Sequence, residues 1–258
     1  MVLTSDYHTH TIYSHGKGTI LDNAKTGKNI GLKEIGISDH GFSHPAFGIR
    51  KRYIKEMKKN CIDASSQTGV NVLLGIESNV LSESGKVDLK PELYDDFDIF
   101  LAGIHKFVMA NLKSTFTVFM PNIINSSLHK KDVSKSLRDR TTKTLINVIK
   151  NNPVDCITHL NFCSYTNVYD VCSCCADYGT YIELNAKKEH LTDEEIAQAL
   201  KTDCRFIIGS DAHSPERVGE IKLVKELIKR TGFPLDRIDN IDGKLPDFRF
   251  RKYKENKR

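Results

Sequence analysis

The sequence predicts an α/β protein in which seven parallel strands close, or nearly close, into a barrel. Two observations carry this. Seven short apolar runs of strand length punctuate the 258 residues, and helical periodicity fills most of the intervals between them. Strand alternating with helix is the pattern of a parallel sheet with crossover helices, and one such barrel typically takes about 250 residues. No internal repeat or low-complexity linker divides the chain, so residues 1–258 are expected to form a single domain.

The first strand is expected in VLTSDYH (2–8) and the second in EIGIS (34–38). A helix follows in RYIKEMKKNCIDASSQ (52–67), where Ile54, Met57, Cys61 and Ile62 recur at helical spacing. VNVLLGIE (70–77) and FDIFLAGIH (97–105) supply the third and fourth strands. The stretch from 106 to about 140 exceeds the roughly 12–15 residues of an ordinary loop. It contains FTVFMPNI, and it is expected to be partly ordered, to cover the barrel mouth and to carry substrate specificity. The pattern in 133–151 predicts a helix with Leu137, Leu145, Val148 and Ile149 on one face.

VDCITHL (154–160) and TYIELN (180–185) are the fifth and sixth strands. Between them, VCSCCADYG places Cys172, Cys174 and Cys175 in a helix; without a second CxxC partner these read as core. Thr192, followed three residues later by Glu195, has the form of a capping box opening a helix over 192–202. CRFIIGSDAH (204–213) is the seventh strand, and a helix is expected over 215–232, with proline near its start and Gly232 past its end. The basic stretch RFRKYKENKR (249–258) is expected to be a solvated, frayed end.

Composition narrows the function classes. Hydrophobic residues make up 39%, enough for a core, and no run of membrane-spanning length is present. The start MVLTSDYHTH lacks the basic and apolar regions of a secretion signal, and seven scattered cysteines fit reduced thiols in the cytoplasm. A net charge of +5 points weakly to an anionic ligand and makes nucleic acid an unlikely partner.

Histidines and acids fall at the ends of these strands. His8 and His10 end the first, Asp39 and His40 the second, Glu77 the third and His105 the fourth. His159 ends the fifth, and Asp211 and His213 the seventh. In parallel barrels the C-terminal strand edge carries the active site. A single histidine at a strand end is usually a hydrogen-bonded one, but so many converging imidazoles and carboxylates need divalent cations to offset repulsion and desolvation. Imidazole and carboxylate suit zinc, manganese or iron, and residues two apart in a strand, such as His8 and His10, face the same side. His44 is a candidate for the mouth, whereas His129 and His190 read as surface residues.

DYHTHTIYSHGKG, ISDHG, GIES, GIH, THLN and GSDAH, in this order, resemble the PHP (polymerase and histidinol phosphatase) superfamily over residues 6 to 219. The resemblance is to its stand-alone bacterial, histidinol-phosphatase-like phosphoesterases. It implies a distorted (β/α)7 TIM-like barrel with two to three divalent ions. It implies His8, His10, Glu77 and Asp211 as ligands of one ion, and Glu77, His105 and His159 of a second, with Glu77 bridging. His15, His40 and His213 are implied for a third, with Asp39 supporting a neighbouring ligand. THLN departs from the His-Pro pair common among relatives.

The activity implied is hydrolysis of small phosphate monoesters by metal-activated water. Glu77, Asp211 and His213 are the catalytic candidates; Arg217, Lys106 and Arg50 are candidates for holding phosphate. No glycine-rich nucleotide loop or cysteine nucleophile motif argues for a covalent route. The same centre would also serve a phosphodiesterase, an exonuclease, an amidohydrolase or a non-catalytic metal-binding module. Oligomeric state is not read from the sequence.

Overall fold

All seven expected strands form. In a computed structural model that describes residues 1–130 and 132–257, they pair in chain order as one parallel sheet: β1 (Ser5–Thr9), β2 (Glu34–Ile37), β3 (Asn71–Asn79), β4 (Ile99–Gly103), β5 (Cys156–Ile157), β6 (Tyr181–Asn185) and β7 (Phe206–Gly209). Helices α1 (Ile20–Asn29), α2 (Ile54–Thr68), α5 (Lys135–Asn151), α6 (Val168–Tyr178) and α7 (Asp193–Ala199) provide crossovers, and short helices α3 (Leu112–Ser114) and α4 (Met120–Ser127) precede α5. The main core lies between strands and helices. A smaller cluster of Tyr7, Ile99, Leu101, Cys156, Tyr181, Ile207 and Phe248 fills the lower barrel.

The ring closes unevenly, which makes this a distorted (β/α)7 barrel. At the C-terminal edge, Thr9 bridges Ala212 in parallel, and the His10 N–H donates to the Ala212 carbonyl at 2.8 Å. Lower down, residues 238–241 enter the seam, with Ile238 bridging Phe206 and Ile241 bridging Leu3. Asn240, fully buried, stitches the two sides. Its Nδ2 donates to the carbonyls of Ser5 and Ile208, both at 2.8 Å, and its Oδ1 accepts the Ile208 N–H at 2.9 Å. The Ser5 carbonyl and the Ile208 N–H and carbonyl thereby gain partners that a β1–β7 ladder would otherwise supply.

Three expectations need correction. The helix expected over 215–232 begins later, as α8 (Lys222–Thr231); Pro215–Arg217 forms a 3-10 turn. The Gly219 N–H is committed to Asp6 Oδ2 at 2.9 Å, so the chain cannot turn continuously into the helix. Gly232 does cap its end.

The segment 106–140 is largely helical and lies beside the barrel mouth rather than over it; Lys131 falls outside the described residues. Its polar groups bind Leu81 and Glu83: the Asn111 N–H donates to the Leu81 carbonyl at 2.9 Å, and the Thr117 hydroxyl meets Glu83. Val118 and Phe119 sink into the core, and Asn122 binds Thr141 Oγ1 at 2.8 Å. Among its described residues, Lys106 and Phe107, at its start, line the mouth.

The basic end does not fray. It forms α9 (Arg249–Glu255), and aromatics interleaved with the charges face inward; Arg258 falls outside the described residues. Phe248 meets Tyr7 edge-on at 4.8 Å inside the barrel. Phe250 is fully buried against Tyr94 and Phe100, with its N–H held by Asp155 Oδ1 at 2.7 Å.

The cysteines behave as core. All seven are buried and unbridged. The Thr192–Glu195 capping box is present at α7. No described helix is long and apolar enough to cross a membrane.

Because Phe250 anchors the final helix under the barrel, Phe250→Ala is expected to cost about 3–5 kcal/mol of stability. Denaturant unfolding followed by circular dichroism checks this; a change below about 1 kcal/mol, typical of a surface site, would refute the anchoring role.

Candidate metal centre

Strand β3 runs inward through Leu73 and Gly75 to Glu77, whose carboxylate is completely buried. Four strand-end imidazoles close on it. His159 Nε2 lies 2.7 Å and His105 Nε2 3.0 Å from Oε1. His8 Nε2 is 3.3 Å from the same oxygen, and His40 Nδ1 is 2.8 Å from Oε2. The Thr158 hydroxyl donates to Oε1 at 2.9 Å.

Asp211 stands on the opposite side, at the end of β7, with its backbone in the left-handed region at φ 48°. His10 Nε2 is 3.3 Å and His8 Nε2 4.0 Å from its Oδ1. The sequence pair His8 and His10 does face one way, with Nε2 atoms 3.2 Å apart. His15 comes in from the loop, its ring 4.1 Å from His213 and 4.9 Å from His40. Three ligand-type groups result among the described residues: His8, His10 and Asp211; His40, Glu77 and His105; and His10, His40 and His213.

The donor chemistry fits divalent metal. Glu77 Oε2, His10 Nδ1, His40 Nδ1 and both ring nitrogens of His105 are buried without an aligned hydrogen bond, although several lie within 3.0 Å of a complementary atom. Lone pairs that crowd together without hydrogen-bond geometry suit ligands sharing an ion. Burial raises the Glu77 carboxyl, but His105, His8, His159 and His40 outweigh it and hold the group well below the usual carboxylate range. Burial likewise drives His10 well below the usual imidazole value. On His8 burial is opposed by Glu183, Glu77 and Asp211, which raise it well above that value.

The sequence matches the PHP domain family over residues 6–230. The chain belongs to the PHP domain family. A relative named "Probable phosphatase" from Thermoanaerobacter sp. (strain X514) is 30% identical over 259 residues, covering 96% of this chain and 95% of its own. Another of that name, from Vibrio parahaemolyticus, is 32% identical over 86% of this chain and 82% of its own. In fold the chain is similar to the crystal structure of histidinol phosphate phosphatase from Lactococcus lactis subsp. lactis, complexed with zinc, L-histidinol and phosphate. The TM-score is 0.60 at 15% identity, covering 91% of this chain and 95% of that one.

Above the PHP centre opens a cavity of about 400 Å³ walled by Phe47, Phe107, Phe162, His44 and His190, with Lys106, Lys187 and Lys188 on its lining. His190, read from sequence as a surface residue, is half-buried here, its ring 5.3 Å from Phe162. His44 lines the mouth, and His129 is exposed.

Of the three phosphate-holding candidates, Lys106 reaches the cavity. Arg217 is off its lining and pairs with Glu220 at 3.1 Å, because the 3-10 turn carries it outward. Arg50 is also off the lining, its guanidinium 3.4 Å from the Pro45 carbonyl. Asp39 touches no ligand ring. It accepts the Thr11 N–H at 2.7 Å and the Ser14 hydroxyl at 2.5 Å, and so shapes the loop that carries His15.

Sequence reasoning missed Glu183 and Lys187. Lys187 Nζ lies 3.2 Å from Asp211 Oδ1 and 3.1 Å from His213 Nδ1. Glu183 donates nothing to the sequence pattern of strand-end ligands, yet an acid inside the apolar run TYIELN was itself a signal.

Gly103 shows how tightly the candidate centre is packed. A methyl group there would meet Thr158 Oγ1 at 2.4 Å and His159 Cε1 at 2.8 Å. Gly103→Ala is therefore expected to displace both side chains and to cost about 1–3 kcal/mol, with a lower melting temperature on calorimetry. Unchanged melting would refute that packing.

Proposed function

We propose that this PHP protein is a metal-dependent phosphatase that hydrolyses small phosphate monoesters. The observation that carries this reading is the convergence on Glu77 of four strand-end imidazoles, with Glu77 Oε2, His40 Nδ1 and both ring nitrogens of His105 lacking aligned hydrogen bonds, beneath a cavity of about 400 Å³. Its support from outside the chain is the phosphatase naming of relatives about 30% identical.

Bound there, two to three divalent ions (zinc, manganese or iron) would make water nucleophilic near neutral pH and offset phosphoryl charge. Within the chain, Glu77 would be shared by two ligand groups. His8, His10 and Asp211 complete one, His105 and His159 the second, and His15, His40 and His213 the third. Lys187 places a cation at the junction of Asp211 and His213, where a phosphoryl oxygen would approach. Lys106 adds charge at the rim, and Phe47, Phe107 and Phe162 offer an apolar wall to the organic part of the ester. Asp211 and His213 line the cavity, so groups assigned to the ions also face the substrate. Direct attack by water is favoured over a covalent intermediate because all seven cysteines are buried, away from the cavity lining.

The purified protein is expected to cleave phosphomonoesters, to lose activity with chelator and to regain it with metal. A chiral phosphate ester should be inverted at phosphorus. Retention, or cleavage of oligonucleotides alone, would overturn the reading. Elemental analysis of protein purified without chelator should find two to three divalent ions per chain; less than one, with no gain on adding zinc, manganese or iron, would refute the centre.

Glu77→Gln keeps side-chain size and removes the shared negative charge. It is expected to abolish most turnover and release at least one ion while the circular dichroism spectrum is retained. Near-normal turnover with full metal content would refute bridging by Glu77.

A further inference from the structure

Glu183 lies on β6, which contributes none of the expected ligands. Its carboxylate is buried one layer above the lower barrel cluster, on the inward row with Tyr181 and Asn185. It is fully engaged. Oε1 accepts the His8 Nδ1–H at 2.6 Å. Oε2 accepts the His159 backbone N–H at 2.7 Å and Asn185 Nδ2 at 3.0 Å. One side chain thus joins β1, which carries His8, to the end of β5, where His159 adopts a left-handed backbone at φ 31°. The barrel leaves room for it: a methyl group on Gly209 would lie 2.1 Å from Glu183 Oε1 and 3.0 Å from His8 Cβ.

We propose that Glu183 is a positioning residue that fixes His8 as the Nδ1–H tautomer, so that Nε2 presents its lone pair to the metal centre, while it pins the His159 backbone. The inference rests on the metal-centre reading above. A carboxylate is required because Nδ1 can donate only to an acceptor, and a hydrogen bond at one ring nitrogen decides which nitrogen is free to ligate. Two donors meet Oε2 and one meets Oε1, so all three are satisfied only by a group with two acceptor oxygens.

Glu183→Gln separates these roles. Its single oxygen satisfies more donors at the Oε2 position, facing His159 N–H and Asn185. The amide NH2 then faces His8 Nδ1, which must become an acceptor, and the proton moves to Nε2, blocking it as a ligand.

The test uses the full-length chain with zinc as the probe. Zinc affinity is measured by competition with a chromophoric chelator, and His8 protonation by long-range ¹H–¹⁵N NMR on histidine-labelled protein. In the zinc-loaded wild type, His8 is expected to carry its proton on Nδ1 and to bind through Nε2. Glu183→Gln should bind at least one zinc about 10–100-fold more weakly. Nδ1 of His8 should then accept from the amide at position 183 instead of carrying the proton it donates in the wild type. Gly209→Ala, which leaves Glu183 in place but crowds its carboxylate, should weaken zinc in the same direction.

Zinc ligated through Nδ1 of His8 in the wild type overturns the proposal without recourse to any variant. So does unchanged zinc affinity in Glu183→Gln. A wild type that binds no zinc, manganese or iron overturns the metal-centre reading and the proposal together, which distinguishes the two failures.

Discussion

The carboxylate of Glu77 is the interaction on which the upper half of the barrel depends. It sits where water cannot reach it, and burial alone would favour its neutral form. Imidazoles from the ends of β1, β4 and β5 and from His40, three residues past β2, surround it and keep it ionised. Their attraction is not a substitute for aligned hydrogen bonds, since Oε2 and several ring nitrogens lack them. The arrangement therefore combines close approach with unsatisfied donors and acceptors. A strand-rich scaffold tolerates that strain at the ends of its strands, where the lower aromatic cluster and the outer helices already secure the fold.

Much of this was legible in the sequence because strands and ligands share a rule. A buried parallel strand reads as an apolar run, and a polar residue at its C-terminal end stands out against it. That is why the seven strands, the HxH pair and Glu77 could be placed from the chain alone. The departures have equally local causes. Arg217 looked like a mouth residue by proximity to His213, but the turn between them directs it to Glu220. His190 looked superficial because it follows rather than ends a strand, yet the loop after β6 folds back against Phe162. The basic end looked solvated because its charges dominate, whereas Phe248 and Phe250 decide its packing.

Glu183 was obscured by a different effect. Reading only the last residue of each run hides a side chain two positions earlier on the same inward row. Its carboxylate is invisible from the mouth but meets His8 from below, so the centre has a floor as well as walls. The cavity above is built differently. Phe47 and Phe107 come from separate loops and retain substantial exposure, and Phe107 has a left-handed backbone at φ 59°. The floor is specified by strand geometry and the rim by loop conformation, which places precision below and variability above.

The seam between β1 and β7 has a consequence for biogenesis. During synthesis β1 emerges first, but its free edge receives its partners, Ala212, Asn240 and Ile241 among them, from near the other end of the chain. An unpaired strand edge is a site for mispairing while it waits. His8 and His10 likewise cannot meet Asp211 until most of the polypeptide has left the ribosome. The candidate group of His8, His10 and Asp211 is therefore complete only in the finished chain. The price of joining first and last strands at one site is a long interval of vulnerability, which the bonds of Ala212, Asn240 and Ile241 bring to an end.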